Sequence, residues 1–175
     1  MIHTVQRFNL LARLLHWTMA VLMLTMVFVG IGMVSTLSPK YHELLSLHKS
    51  VGSLILVLVA VRLVNRLLNP PPPLPVDLPG WQKFLATGSH VILYALMFAL
   101  PLVGWSMLSA GGYPIVVFGA IHLPPILPHN APVFALLRTT HTLLALLLFA
   151  VFLGHLGAAL FHALIRRDDV LESMV

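Results

Sequence analysis

Cysteine is absent from this 175-residue chain. That excludes disulfides, iron–sulfur ligation, thioether-attached haem and thiolate nucleophiles, and it leaves the redox compartment unreadable from cysteine usage. Carboxylates are nearly as scarce. The five acids are Glu43, Asp77, Asp168, Asp169 and Glu172, and all lie outside the long apolar runs. A di-iron bundle needs several Glu or Asp ligands from facing helices, which this chain does not have. Proton-coupled pumps and zinc transporters rely on buried carboxylates, and a hydrolytic triad would lack its acid. There is no His-Glu-x-x-His motif, phosphate loop or dinucleotide fingerprint.

Apolar length is what the chain has in quantity. It is 59% hydrophobic with only 9% charged residues, and its mean hydropathy is +0.97. A soluble domain of this size carries far more charge. Four runs are long enough to cross a hydrocarbon core, which takes about 20 helical residues. They lie near Leu10–Met33, Val51–Leu68, Phe84–Leu108 and Leu136–Ile165. The expectation is one all-α transmembrane domain over residues 1–175, an integral membrane four-helix bundle surrounded by lipid. The first run is too long for a signal-peptide core and no small-residue cleavage site follows it, so it reads as a span. Pro101 falls inside the third run, where a kink is expected.

The connections differ in character. Residues 34–47 read as a short polar link. Asn69 to Gly80 is rich in proline and reads as a stiff polyproline spacer. Residues 109–135 form the longest loop, rich in Gly and Pro, and its apolar residues Phe118, Ile121 and Leu127 point to a cap over one end of the bundle. No internal repeat is visible.

Arg7, Arg13, Arg62, Arg66, Lys83, Arg166 and Arg167 fall on one side of these spans, and Lys40, Lys49 and Arg138 on the other. The richer side is expected to be cytoplasmic, which puts both termini and the proline spacer inside. The net charge of +5 and pI near 10.3 then reflect topology, not nucleic-acid binding.

Histidines are the chemically informative residues. A titratable ring inside a bilayer is costly and marks a functional site by default. His16 and His90 fall near the inner ends of spans one and three, and His48 at the outer end of span two. His141, His155 and His162 differ by multiples of seven, so they share nearly one helix face. Fourteen residues separate His141 from His155, about 21 Å of helical rise, which puts one ring in each leaflet. Neutral imidazole is a natural axial ligand of haem iron, and bundles build cofactor sites from facing side chains. His48 with His141 is the available pair at the outer depth. His16 with His155 is the preferred pair at the inner depth, with His90 as competitor. That arrangement holds two haems in the bundle interior. Gly52, one turn from His48, and Gly154 and Gly157 beside His155 are small enough to admit a flat ring, although close helix packing uses glycine in the same way. His3, His42, His122 and His129 read as solvated loop residues.

Several short motifs occur in an order and spacing that resemble the bacterial di-haem cytochrome b561 family, whose best-understood branch is the superoxide oxidase of the inner membrane. They are Arg13-Leu-Leu-His16-Trp17, Leu47-His48-Lys49-Ser50-Val51-Gly52, and Val61-Arg62-Leu63 through Arg66 before the proline run. Ser89-His90-Val91-Ile92-Leu93-Tyr94, Ala99-Leu100-Pro101-Leu102-Val103-Gly104, His141, Gly154-His155 and His162 complete the set. The resemblance spans nearly the whole chain. It implies haem b, two per chain, with His16, His48, His141 and His155 as metal ligands. It also implies electron exchange with ubiquinone and, in that branch, oxidation of superoxide to oxygen on the outer side.

On that reading Lys49, adjacent to His48, and Arg138, one turn before His141, would line a cationic mouth that gathers a small anion. Lipid phosphates would engage the same two cations equally well. Asn9, Arg13, His90 and His162 are the candidates for binding quinone and supplying protons at the inner end. The expected activity is superoxide:ubiquinone oxidoreduction by a multi-pass protein of the bacterial inner membrane. The alternatives are a cytochrome b anchor subunit serving a partner dehydrogenase or hydrogenase, and a non-redox haem carrier or small transporter. A protein partner is possible but not indicated.

Overall fold

The computed structural model describes residues 6–75 and 77–175, so His3 lies outside the described residues. Four long helices account for most of the chain: α1 Leu10–Ser35, α2 Lys40–Leu68, α3 Gly80–Ala110 and α4 Ala131–Phe161. Each contains a window long and apolar enough to cross a membrane. Their outward faces carry large apolar side chains such as Phe28, Val64, Phe84 and Leu146. In water such a surface would be prohibitive; in lipid it is the solvated surface.

Helix starts follow local chemistry. Asn9 caps α1 by accepting from the Ala12 amide at 2.7 Å, and Asn130 caps α4 by accepting from the Val133 amide at 3.0 Å. The rigid φ of Pro79 and Pro132 suits the first turns of α3 and α4. α3 continues through Pro101 without a break in its helical assignment.

Two expectations about the connections are corrected. The first link is residues 36–39, because α2 already begins at Lys40. Lys40 to His48 is too polar for the bilayer core but still helical, and Glu43 in the first turn complements the helix dipole. Hydropathy marks depth in the membrane, and the helix runs beyond that depth. The long loop contracts to residues 111–130 and contains a small antiparallel hairpin, Val116–Val117 (β1) with Ile121–His122 (β2). Its turn holds Phe118 and Gly119 at φ of 52° and 72°. The Phe118 amide donates to Ser50 Oγ at 2.8 Å, and Ile115 and Val117 are buried, so the hairpin caps α2, but Phe118, Ile121 and Leu127, the residues expected to do so, are exposed. Finally, His162–Arg166 is a single π-helical turn (η1). His162 opens that turn directly after α4, so the seven-residue register from His141 runs unbroken to it, and the wider π turn follows.

α1 packs along α2 and α3 along α4, with α2 and α3 joining the pairs, whereas α4 has few close backbone approaches to α1 or α2. A compact apolar layer fills the middle: Met19 and Met23 from α1, Ile55 and Val59 from α2, Leu96 and Met97 from α3, Leu148 from α4. Both chain ends lie at one end of the bundle, where the Phe8 amide donates to the Ser173 carbonyl at 3.0 Å and Trp17 Nε1 donates to the Met174 carbonyl at 2.9 Å. The hairpin lies at the opposite end.

Candidate functional site

Each histidine in the apolar runs falls just above or just below the middle layer. At the hairpin end, His48 of α2 faces His141 of α4 with ring centres 6.0 Å apart. At the terminal end, His155 of α4 is flanked by His16 of α1 at 6.2 Å and by His90 of α3 at 5.3 Å. The His16–His155 and His48–His141 pairs thus meet across α1–α4 and α2–α4, whose backbones make few close approaches, whereas His90 meets His155 across the closely packed α3–α4 pair.

Whether these rings suit a haem iron can be judged from their spacing. A metal held between two imidazole nitrogens at about 2.0–2.1 Å each, with each ring centre about 1 Å beyond its nitrogen, separates the centres by roughly 6 Å. His48–His141 and His16–His155 meet that requirement, and His90–His155 is too close for it. The donor set is also right, since imidazole suits iron and no carboxylate or thiolate competes. At the hairpin end the Nδ1 atoms of both His48 and His141 are buried with no hydrogen-bond partner. Buried imidazoles facing each other inside the bilayer are costly unless a ligand takes them up. No cluster of three or more His, Asp or Glu side chains that would hold a bare metal ion occurs among the described residues. The arrangement is one of paired axial donors.

The glycines sort differently from the sequence expectation. A Cβ on Gly52 would meet Met26 Cε at an ordinary 3.5 Å, so Gly52 lies at the α1–α2 contact. Gly104, not singled out from the sequence, is the one that lies against a ring: a Cβ there would sit 3.3 Å from His141 Cε1. Only the packing of α3 on α4 reveals this. Gly154 and Gly157 meet no side chain within 4 Å, so neither makes the close helix contact that would otherwise account for it.

The terminal end carries a polar network that sequence reasoning largely missed. Arg62 of α2 donates to His16 Nδ1 at 2.9 Å and, through Nε, to the Tyr94 hydroxyl at 3.1 Å. Arg62 and Arg66 both stand over the Tyr94 ring, at 5.7 and 5.8 Å from its centre. The available signal was an arginine seven residues inside the end of α2, within an apolar run. His162 is held by Asp168, whose carboxylate accepts from Nδ1 at 2.7 Å and also pairs with Arg166. Arg166 bridges onward to Asp77 in the proline segment. Asn9 is occupied by its capping bond and by paired hydrogen bonds with Asn65. Asn9, Arg13, His90 and His162 make no hydrogen bond to one another among the described residues. Lys49 and Arg138 sit on α2 and α4 at the hairpin end, and their side chains make no hydrogen bond or ion pair among the described residues.

The sequence pattern of the family described as prokaryotic cytochrome b561 matches residues 7–175. This chain belongs to that family. Cytochrome b561 homolog 2 of Escherichia coli K12 is 32% identical over 99% of this chain and 93% of its own length. Cytochrome b561 homolog 1 of the same organism is 30% identical over 97% of each. A Yersinia pestis protein named probable superoxide oxidase CybB is 33% identical over 74% of this chain and 73% of its own length. Membership makes the chain a multi-pass membrane electron-transfer protein that binds haem b.

Proposed function

We propose that the protein is a di-haem b oxidoreductase of the bacterial inner membrane that oxidises superoxide on the outer side and reduces ubiquinone. One observation carries this reading: facing imidazole pairs at two levels, in the gaps that α4 leaves open toward α1 and α2. His48 and His141 would hold one haem, His16 and His155 the other. Bound there, haem supplies reversible one-electron storage, which none of the chain's own side chains offers. His90, too close to His155 to share an iron with it, packs beside the pair.

The chain's residues supply the rest. Two superoxide anions give up one electron each and leave as oxygen; one quinone takes both electrons and two protons. Lys49 and Arg138 attract the anion toward the hairpin end, a screened, long-range effect of their charge. Arg13 and His162 serve the quinone at the terminal end, His162 moving a proton with Asp168 holding its Nδ1 side. The excess of Lys and Arg at the terminal end supports its cytoplasmic placement. The Yersinia pestis relative supports the superoxide assignment through its name.

Rapid mixing of purified, haem-loaded protein with superoxide is the test. Reduction of the protein within the mixing experiment, and its re-oxidation by added ubiquinone, are expected. Protein that stays oxidised under excess superoxide, yet is reduced when a partner dehydrogenase is supplied, would instead establish an anchor subunit.

A further inference from the structure

The two histidine levels differ in electrostatic surroundings. At the terminal end Arg62 acts on His16, His90 and His155, and Arg66 adds to its effect at His90. At the hairpin end Lys49 and Arg138 are the neighbouring cations along the helices, but no side chain hydrogen-bonds to Nδ1 of His48 or His141. Arg62 also has no carboxylate partner among the described residues, whose ion pairs all involve His162 or Arg166. Its charge inside the bundle is therefore uncompensated by protein.

We propose that Arg62, anchored by Tyr94, makes the terminal-end bis-histidine site the more oxidising of the two. This rests on the haem reading given above. Iron loses one positive charge on reduction, so a fixed cation beside it disfavours the oxidised state more than the reduced one. Weak screening within the bundle preserves that preference. The hydrogen bond to His16 is not itself the device. Arg62 has only donors, so the Nδ1 it meets carries no proton, whereas ligation through Nε2 puts the proton on Nδ1. Ligation thus turns Arg62 off that nitrogen, and the hydroxyl of Tyr94, 3.1 Å from Arg62 Nε, keeps the charge at this level. Arg62 is a positioning residue: it biases electrons toward the end where the quinone residues lie.

Spectroelectrochemical titration of single-haem proteins tests this. His48→Ala leaves the terminal-end haem and His155→Ala the hairpin-end haem. The terminal-end haem is expected to titrate at the higher potential. Adding Arg62→Gln to the His48→Ala protein is expected to lower that potential. Arg62→Lys, which keeps the charge, should largely preserve it. Arg62→Gln in the His155→Ala protein should leave the hairpin-end haem unmoved. A terminal-end potential at or below the other overturns the proposal, as does an equal shift of both haems by Arg62→Gln. Should Arg62→Gln fail to hold the terminal-end haem, the order of the two potentials, which requires no change at Arg62, still decides. Wild-type protein that binds no haem overturns the underlying reading, whereas loaded protein with unmoved potentials overturns this inference alone.

Discussion

His155 and His90 separate the two ways of building the terminal-end site. Ring spacing favours His16 as the partner of His155. His155→Ala should therefore lose one of two haems, and His90→Ala should keep both, as read by pyridine haemochrome stoichiometry. Gly104 makes an independent claim at the other level. A Cβ there already presses on His141 at 3.3 Å. Gly104→Val, with two further carbons, should displace that ring and cost the hairpin-end haem while the other remains. At the quinone end, His162→Ala should slow re-oxidation by quinone about 10²-fold or more, the usual lower reach of a lost general acid. Both haems should stay bound, and unchanged quinone kinetics would remove His162 from the site.

Helices were legible in the sequence to the extent that the bilayer dictates them. The apolar runs placed all four, and the step from His141 to His155 predicted rings at two levels on one helix. What hydropathy does not record is structure outside the hydrocarbon core. α2 extends back to Lys40 through polar residues, and the two-residue strands of the hairpin are too short to leave a periodic signal. Side-chain roles set by a neighbouring helix were equally hidden: Gly52 and Gly104 look alike along the chain, but one faces Met26 and the other His141. The hairpin makes its own prediction. Ser50 is buried and its hydroxyl accepts the Phe118 amide, whose left-handed φ needs holding. Ser50→Ala should cost about 0.5–1.5 kcal/mol, the usual net worth of one hydrogen bond. Limited proteolysis should then cut between residues 111 and 130 sooner than in wild type.

Taken together, two helix pairs enclose an apolar midsection with a histidine level on either side of it. Bundle and cofactor are mutually dependent in such a design. Lipid gives helices little reason to associate, so groups that bridge α4 to α1 and α2 supply much of the cohesion. Haem-depleted protein should accordingly melt at a lower temperature than loaded protein by circular dichroism, with stabilisation growing as free haem rises. The most direct measurement is the absorption spectrum and haem content of purified wild-type protein made with ample haem supply. The account predicts six-coordinate low-spin haem b, oxidised and then reduced, at two per chain. A colourless protein, or one holding a single high-spin haem, would contradict it.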